Sequence, residues 1–518
     1  MKSHWYILFF IPFISSAQNW SENIAPLFYQ KCTQCHHTGG IAPTSYLDYQ
    51  DAVADAASIR VKVQQGKMPP WPPDTTYSRF AHERTLTQQQ VDDIVAWVQN
   101  GTPEGDTLLA PIPPSYQGVA EIQNPDLVLQ IPPFAVNSTG GDVYRCFALP
   151  TGLSAQRFIS QLEALPGDLS VVHHVLVFSD TSALPLQLDA QDPAPGYSNF
   201  GGTGSNSSQL IGVWAPGGGA YTLPNAMGIK LPAGATVVLQ VHYPGGITNV
   251  TDTTQVRFKF SATPFTREVF ISSPLNHFQL DNGPLAIAPN ATPTFYAHYT
   301  LPLNVTALGV APHMHLLGKT ITSYAVTPTY DTIPIIHLPN WDFHWQGLYS
   351  FPRLLKFPTG TTLYAAASYD NTLNNPNNPN DPPRWTYLGE RTTDEMMLVY
   401  FVYTYYLQGD ENIVQDSSFF AGFESLNHEV VRTVQLYDVF PNPVQERFTV
   451  NFFIPEKSDV SMSIIDMEGR KVLDLLDDTF FNAGFHAVEA DMGEQPKGLY
   501  FVVLSVDGIV RQKKIIHA

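Results

Sequence analysis

Six positions carry side chains whose types and spacing could hold metal: the tandem pair His173-His174, then His242, then the His-x-His pair His313-Met314-His315, and Met396 far downstream. Grouped, His173, His174 and His242 make an all-imidazole set, while His313, His315 and Met396 make a set with one thioether. Imidazole suits copper, zinc, iron and nickel, whereas a thioether selects Cu(I), so the mixed set points to redox-active copper. In an extended strand His313 and His315 share one face and Met314 takes the other. His173 and His174 would point to opposite faces of a regular strand, so joint ligation there requires a strand end or a bulge. The chain has sixteen histidines, and chance pairs satisfied within a core are the alternative on residue chemistry alone.

A second motif is shorter and more specific. Cys32-Thr33-Gln34-Cys35-His36 is the Cys-x-x-Cys-His signature of covalent c-type haem attachment, in which both thiols add to the haem and the next imidazole becomes an axial ligand. A zinc knuckle would need a second ligand pair nearby, and only His37 is at hand. Met68, in Gly66-Lys67-Met68-Pro69-Pro70-Trp71-Pro72, resembles the Met-Pro-Pro segment of cytochrome c domains and is the expected sixth ligand, with His37 and His82 as competitors. Thr87 and Gln90 form a capping-box pattern. Val91, Ile94, Val95 and Val98 follow at helical spacing, and Gly101 falls where a C-cap glycine belongs. Residues 18–106 thus resemble a small, all-α monohaem cytochrome c domain.

The flanks of the histidine and methionine positions carry a further resemblance. Val171-Val172-His173-His174-Val175-Leu176, Leu239-Gln240-Val241-His242-Tyr243, Ala311-Pro312-His313-Met314-His315-Leu316-Leu317-Gly318-Lys319 and Thr393-Asp394-Glu395-Met396 occur in that order. Together, over roughly residues 126–410, they resemble the copper type II, ascorbate-dependent monooxygenases, the family of dopamine beta-monooxygenase and peptidylglycine alpha-hydroxylating monooxygenase. The resemblance implies two copper ions: an electron-transferring one on His173, His174 and His242, and an oxygen-binding one on His313, His315 and Met396. It also implies conversion of a C–H bond of a small organic substrate to an alcohol with molecular oxygen, with two electrons from an external donor, ascorbate or another reductant. The implied fold is two jelly-roll-like β-sandwiches, 126–265 and 266–415. Two departures bear on substrate. The Arg that grips a peptide carboxylate in the amidating branch is Ala311 here, and the Asn after the Met ligand is Leu398, although the substrate-contacting Tyr is kept as Tyr400. A glycine-extended peptide is therefore not the expected substrate. Met397 stands where the animal enzymes have a Cys, so their bracing disulfides are missing.

These elements need a frame. At 518 residues the chain has room for about three or four domains, and its Pro, Gly, Asn and Thr content favours short strands and turns. The fold class expected is mainly β. The net charge of -19 comes without a basic run, which argues against a nucleic-acid partner. Met1-Lys2, the apolar Trp5 to Ile14 and Ser15-Ser16-Ala17 read as a secretory signal peptide, residues 1–17, cleaved after Ala17; an uncleaved anchor is the alternative. Nothing downstream reaches the roughly eighteen apolar residues of a transmembrane span. Cys146, left unpaired by the haem motif, reads as a small buried core residue. Residues 107–125, with Pro111, Pro113 and Pro114, read as a stiff connector. The Asn- and Pro-rich run 374–380 reads as a solvated loop, and His298, His337 and His344 as packing residues.

From about residue 432 the pattern changes. Phe440-Pro441-Asn442-Pro443, Ile464-Ile465-Asp466-Met467-Glu468-Gly469-Arg470, Gly498-Leu499-Tyr500-Phe501-Val502 and Lys513-Lys514-Ile515-Ile516 resemble the C-terminal sorting domain of type IX secretion, found in Bacteroidetes. Alternating Val460, Met462 and Ile464 fit a small immunoglobulin-like β-sandwich over 432–518; an adhesive carbohydrate-binding module is the alternative. The expectation is an exported or surface copper monooxygenase whose all-His copper is refilled by its own haem. A haem and copper electron carrier without oxygenation, and a surface adhesin with structural zinc, are the competing readings.

Overall fold

A computed structural model describes residues 18–517 except 39, 41, 117–119, 200–201, 264–265, 344, 417–433, 437–438, 440–441, 455–456, 483 and 494. The signal-peptide segment 1–17 and His344 lie outside the described residues. The chain is mainly β, and it divides into two compact units: one made of residues up to Trp71 with Arg84–Val119, the other of Pro72–Glu83 with Ala120–Ala518. No helix among the described residues is long and apolar enough to cross a membrane.

Among its described residues the first unit has helices and no strands, with α1 (Ala25–Lys31), α2 (Tyr49–Ala54), α3 (Ala56–Gln64) and α4 (Gln88–Gln99) joined by turns and irregular segments. The capping box before α4 is present in both directions, Gln90 N–H to Thr87 and Thr87 N–H to Gln90, and Gly101 follows with φ +81°. Of the apolar positions read from spacing, Ile94 is fully buried, but Trp97 is the other fully buried residue of α4. Its indole packs 5.8 Å from Trp20 and 6.2 Å from Phe28, and large rings filling one small core outweigh the aliphatic stripe.

In the second unit, a five-stranded sheet runs in the order Tyr197–Ser198, β1 (Val143–Pro150), β3 (Thr236–Tyr243), β2 (His174–Asp180), Gln209–Trp214. A nine-stranded sheet runs from Leu127–Gln130 through Gln255–Phe260, Arg157–Leu165 and Met227–Leu231 into β4 (Arg267–Asn276), β7 (Leu398–Tyr405), β5 (Val305–His313) and β6 (Tyr349–Phe357). It continues across position 265 through a parallel pairing of Arg267 with Met227, and one apolar core holds Val241, Phe258, Leu308 and Val402 together. Near residue 438 and beyond, sheets of three and four strands bury a separate core of Phe448, Val450, Phe452, Met462, Ile464 and Val502.

One segment differs from the order of domains along the chain, and two others gain specific anchors. Residues 72–83, inside the stretch expected for the haem domain, pack within the second unit: Phe80 lies 5.4 Å from Tyr349, and the Ala81 N–H donates to Ser350 O. The connector 107–125 is anchored. Tyr116 stacks on His37 in the first unit, and in the second the N–H groups of Glu121 and Ile122 donate to Glu163. The Asn-rich run is a loop with exposed Asn374, Pro376 and Asn377, pinned by buried Asn375, whose amide donates to Asp370 O and Leu316 O, and by Asn378, which donates to buried Asn371. Side-chain amides there make hydrogen bonds that proline-interrupted backbone cannot.

The second unit is tied by a partly buried ion pair. Arg267 donates both guanidinium nitrogens to Asp410, which also accepts from Thr306 and from the Leu407 N–H. Burial raises the Asp410 pKa, but Arg267, Leu407 and Thr306 outweigh it and hold the carboxyl below its ordinary value. Asp410→Ala removes the carboxylate from a partly exposed Arg267 and orphans the Leu407 N–H and the Thr306 hydroxyl, and is expected to cost about 2–3 kcal/mol in chemical denaturation. The folded pKa is lower than the unfolded one, so this stabilisation is present above the unfolded value of about 4 and is lost as pH falls through the folded value. Wild type should lose more stability than the variant over that acid range; parallel pH profiles would contradict the assignment.

Candidate metal centres

The all-histidine set forms where strand register demands it. His174 opens β2, His242 lies near the end of β3 directly opposite it, and the His173 N–H donates to His242 O. The tandem pair thus sits at a strand end, which lets both rings turn to the same side. Ligand nitrogens of the three residues lie within 4.8 Å of one another, with His173 Nδ1 and His174 Nδ1 3.2 Å apart. Metal–imidazole bonds of about 2.0 Å at tetrahedral angles put ligand nitrogens roughly 3.3 Å apart. Both ring nitrogens of His242 are buried without a hydrogen-bond partner, which leaves a lone pair free for a cation. Burial, and then the neighbouring His242 and His173, push the His174 pKa well below its ordinary value and keep the ring a neutral donor. Tyr144 stacks on His242 at 4.2 Å and 5°. Asp142 lies 3.6 Å from His242 Nε2 and accepts from the Thr392 hydroxyl at 2.6 Å. His242 and Thr392 hold its carboxyl down at about 2 against the effect of burial.

The second set is built by antiparallel pairing of β5 with β7, in which His313 faces Leu398. His315 and Met396 lie just beyond these paired ends, and Met314 is fully buried on its own. The rings of His313 and His315 stand 5.1 Å apart at 86°. Nδ1 of His313 pairs with Gln346 Oε1 at 2.5 Å, and Nδ1 of His315 with Asp394 O at 3.1 Å. Both acceptors place the ring proton on Nδ1 and turn Nε2 toward a metal. Burial, then His313, bring the His315 pKa down to about 3.

Glu395 locks this arrangement. Its fully buried carboxylate accepts from the N–H groups of His315 at 3.0 Å, Leu317 at 2.6 Å and Met396 at 3.1 Å. Burial still pushes it up to about 8. Tyr400 pairs across from Ala311, which puts both on the sheet face of His313. Its phenol is pushed up to about 12 by burial and then by Glu390. His277, unmarked in the sequence, is also buried here, accepts from the Met397 N–H at 3.3 Å and is brought down to about 4 by burial and His313. A single ring joins the two sets: Phe343 stacks on His173 at 5.0 Å and meets His315 edge-on at 5.9 Å.

In the first unit the Cys-x-x-Cys-His run follows α1, with the N–H groups of Cys35 and His36 donating to Cys32 O. His36 Nδ1 pairs with Thr44 O at 2.9 Å and the ring stacks on Tyr46 at 4.3 Å, leaving Nε2 as the nitrogen an iron would take. Cys32 and Met68 pack against the same apolar cluster. His82 belongs instead to the second unit, where its ring is 3.4 Å from Asp416. Cys146 is a buried thiol pushed up to about 12 by burial, and His298 and His337 bond to Asp281 and Thr322.

Comparison with known families covers two stretches of the chain. Residues 295–422 match the copper type II ascorbate-dependent monooxygenase C-terminal domain, and residues 438–518 match the secretion system C-terminal sorting domain. The chain carries a copper type II monooxygenase domain and a type IX sorting tail, and is exported by that route, as in Bacteroidetes. No curated protein matches the chain. Among solved structures, a beta-glucuronidase of Faecalibacterium prausnitzii is 10% identical, covering 68% of this chain and 46% of that one, with a TM-score of 0.13. A Ruminococcus gnavus beta-glucuronidase is 11% identical, covering 44% and 35%, with a TM-score of 0.12. The chain thus spans less than half of either, and superpositions this poor relate neither fold nor activity.

Proposed function

We propose that this protein is a secreted copper monooxygenase that hydroxylates a C–H bond of a small organic substrate, with electrons delivered through its own c-type haem. The observation that carries the reading is the convergence of two imidazole sets on one phenyl ring, which stacks on His173 and meets His315 edge-on. His173, His174 and His242 would hold one copper, and His313, His315 and Met396 the other. Bound copper supplies an electron at each set and oxygen activation at the thioether set. Gln346 and the Asp394 carbonyl fix the tautomers of His313 and His315, Glu395 holds the backbone between His315 and Met396, and Asp142 orients His242. Tyr400, Ala311 and Leu398 would face the substrate. With no cation at Ala311, this surface suits a substrate without a carboxylate anchor.

The first unit would be the cytochrome c domain, with haem on Cys32, Cys35 and His36 and Met68 as sixth ligand. Its supports are the motif, the His36–Thr44 bond and the shared packing of Cys32 and Met68. The strands of the second unit would form two jelly-roll-like sandwiches, followed by an immunoglobulin-like tail. Protein matured in a host that attaches haem c should contain two coppers and one haem. Cys32→Ser with Cys35→Ser should remove the haem absorbance and keep both coppers. Tightly bound zinc with no haem in the wild type would contradict the reading.

A further inference from the structure

The loop between Thr332–Leu338 and β6 touches both metal sets. Trp341 Nε1–H donates to His315 O at 3.0 Å, Gln346 Oε1 accepts from His313, and Gln346 Nε2–H donates to Phe343 O at 2.7 Å. Phe343 is thereby fixed at its backbone and is 7% exposed. Its face lies parallel to the His173 ring, 16° between planes, and its edge meets His315 at 87°. A flat ring constrains a neighbouring imidazole in tilt, which an aliphatic side chain of similar volume does not. His173 stands at a strand end, where its ring plane needs such support.

We propose that Phe343 is a positioning residue that couples metal capture at the two sets; this rests on the reading of both as copper sites. Ordering His315 on a metal fixes the edge against which Phe343 leans, and an ordered Phe343 fixes the plane of His173. Linkage makes the effect reciprocal: copper at either set raises affinity at the other by the same factor. The hydrogen bond from Thr392 to Asp142, which adjoins His242, is a second bridge. It orients the opposite side of the all-histidine set and leaves the His173 plane to Phe343.

Anaerobic Cu(I) titration of the full-length apoprotein against a chromophoric chelator tests this without turnover. Wild type should take up two coppers, the second roughly 5- to 10-fold more tightly than independent sites allow. Phe343→Leu, which keeps apolar volume, and Phe343→Ala should each still bind two coppers with that factor reduced to about 1. The Cu(II) paramagnetic resonance signal of the all-histidine set should change in Phe343→Leu. Wild type that binds two coppers independently, or a Phe343→Leu chain that keeps the full factor, overturns the proposal alone. Wild type that binds no copper overturns the monooxygenase reading as well.

Discussion

His242→Ala is expected to leave the purified chain with one copper in place of two and to lower hydroxylation by more than about 100-fold. Loss of outer-sphere partners alone costs about 10- to 100-fold, and His242 is the ring itself. The neighbours cannot replace it. His173 and His174 share one strand end, and the third donor must come from β3, where His242 faces His174 across the sheet. The adjacent carboxylate, Asp142, is already bound to Thr392. Copper per chain by elemental analysis, together with the turnover rate, checks this result. Two coppers and wild-type turnover in a folded His242→Ala protein would remove the all-histidine set from the account.

The second large effect is expected at Glu395. Three backbone N–H groups converge on this buried carboxylate, and Glu395→Ala orphans them all. Unsatisfied buried donors cost about 1–3 kcal/mol each, so a loss of about 3–5 kcal/mol is expected in urea denaturation, allowing for partial relaxation. Glu395→Gln keeps the shape but supplies one acceptor oxygen for three donors, and should lose about half as much. Because the same amides set the backbone from His315 to Met396, Glu395→Ala should also lose the second copper while the all-histidine set keeps its own. Equal loss from both sets would make Glu395 a general core residue instead of a brace for one site.

Much of this site is legible in the sequence because ligand chemistry is local. The His-x-His spacing implies one strand face, and the tandem pair implies a strand end, which is where His173 and His174 lie. The capping box before α4 is legible for the same reason. The residues that orient the ligands are not. Gln346 is 33 positions from His313, and Asp142 is 250 from Thr392, so neither pairing leaves a periodic trace. Phe343 lies in the aromatic run Trp341-Asp342-Phe343-His344-Trp345 and carries no sequence signal of a role at the metal sets. Only the fold reveals that it packs on two ligand rings at once. In the Asn-rich run polarity predicts the exposure of Asn374 and Asn377 but not the burial of Asn375, whose amide is spent on Asp370 O. The arm 72–83 misleads because chain continuity with the haem motif says nothing about which core Phe80 enters.

Incorporation of labelled oxygen tests the central claim most directly. The copper-loaded, full-length protein, supplied with a reductant, candidate C–H substrates lacking a carboxylate and oxygen-18 gas, should yield an alcohol carrying one labelled atom. Met396→Ala should yield none while its haem spectrum is unchanged. Fully reduced coppers and haem that reoxidise in oxygen and leave no label in any product, across a broad substrate panel, would make this chain an electron carrier and contradict the account.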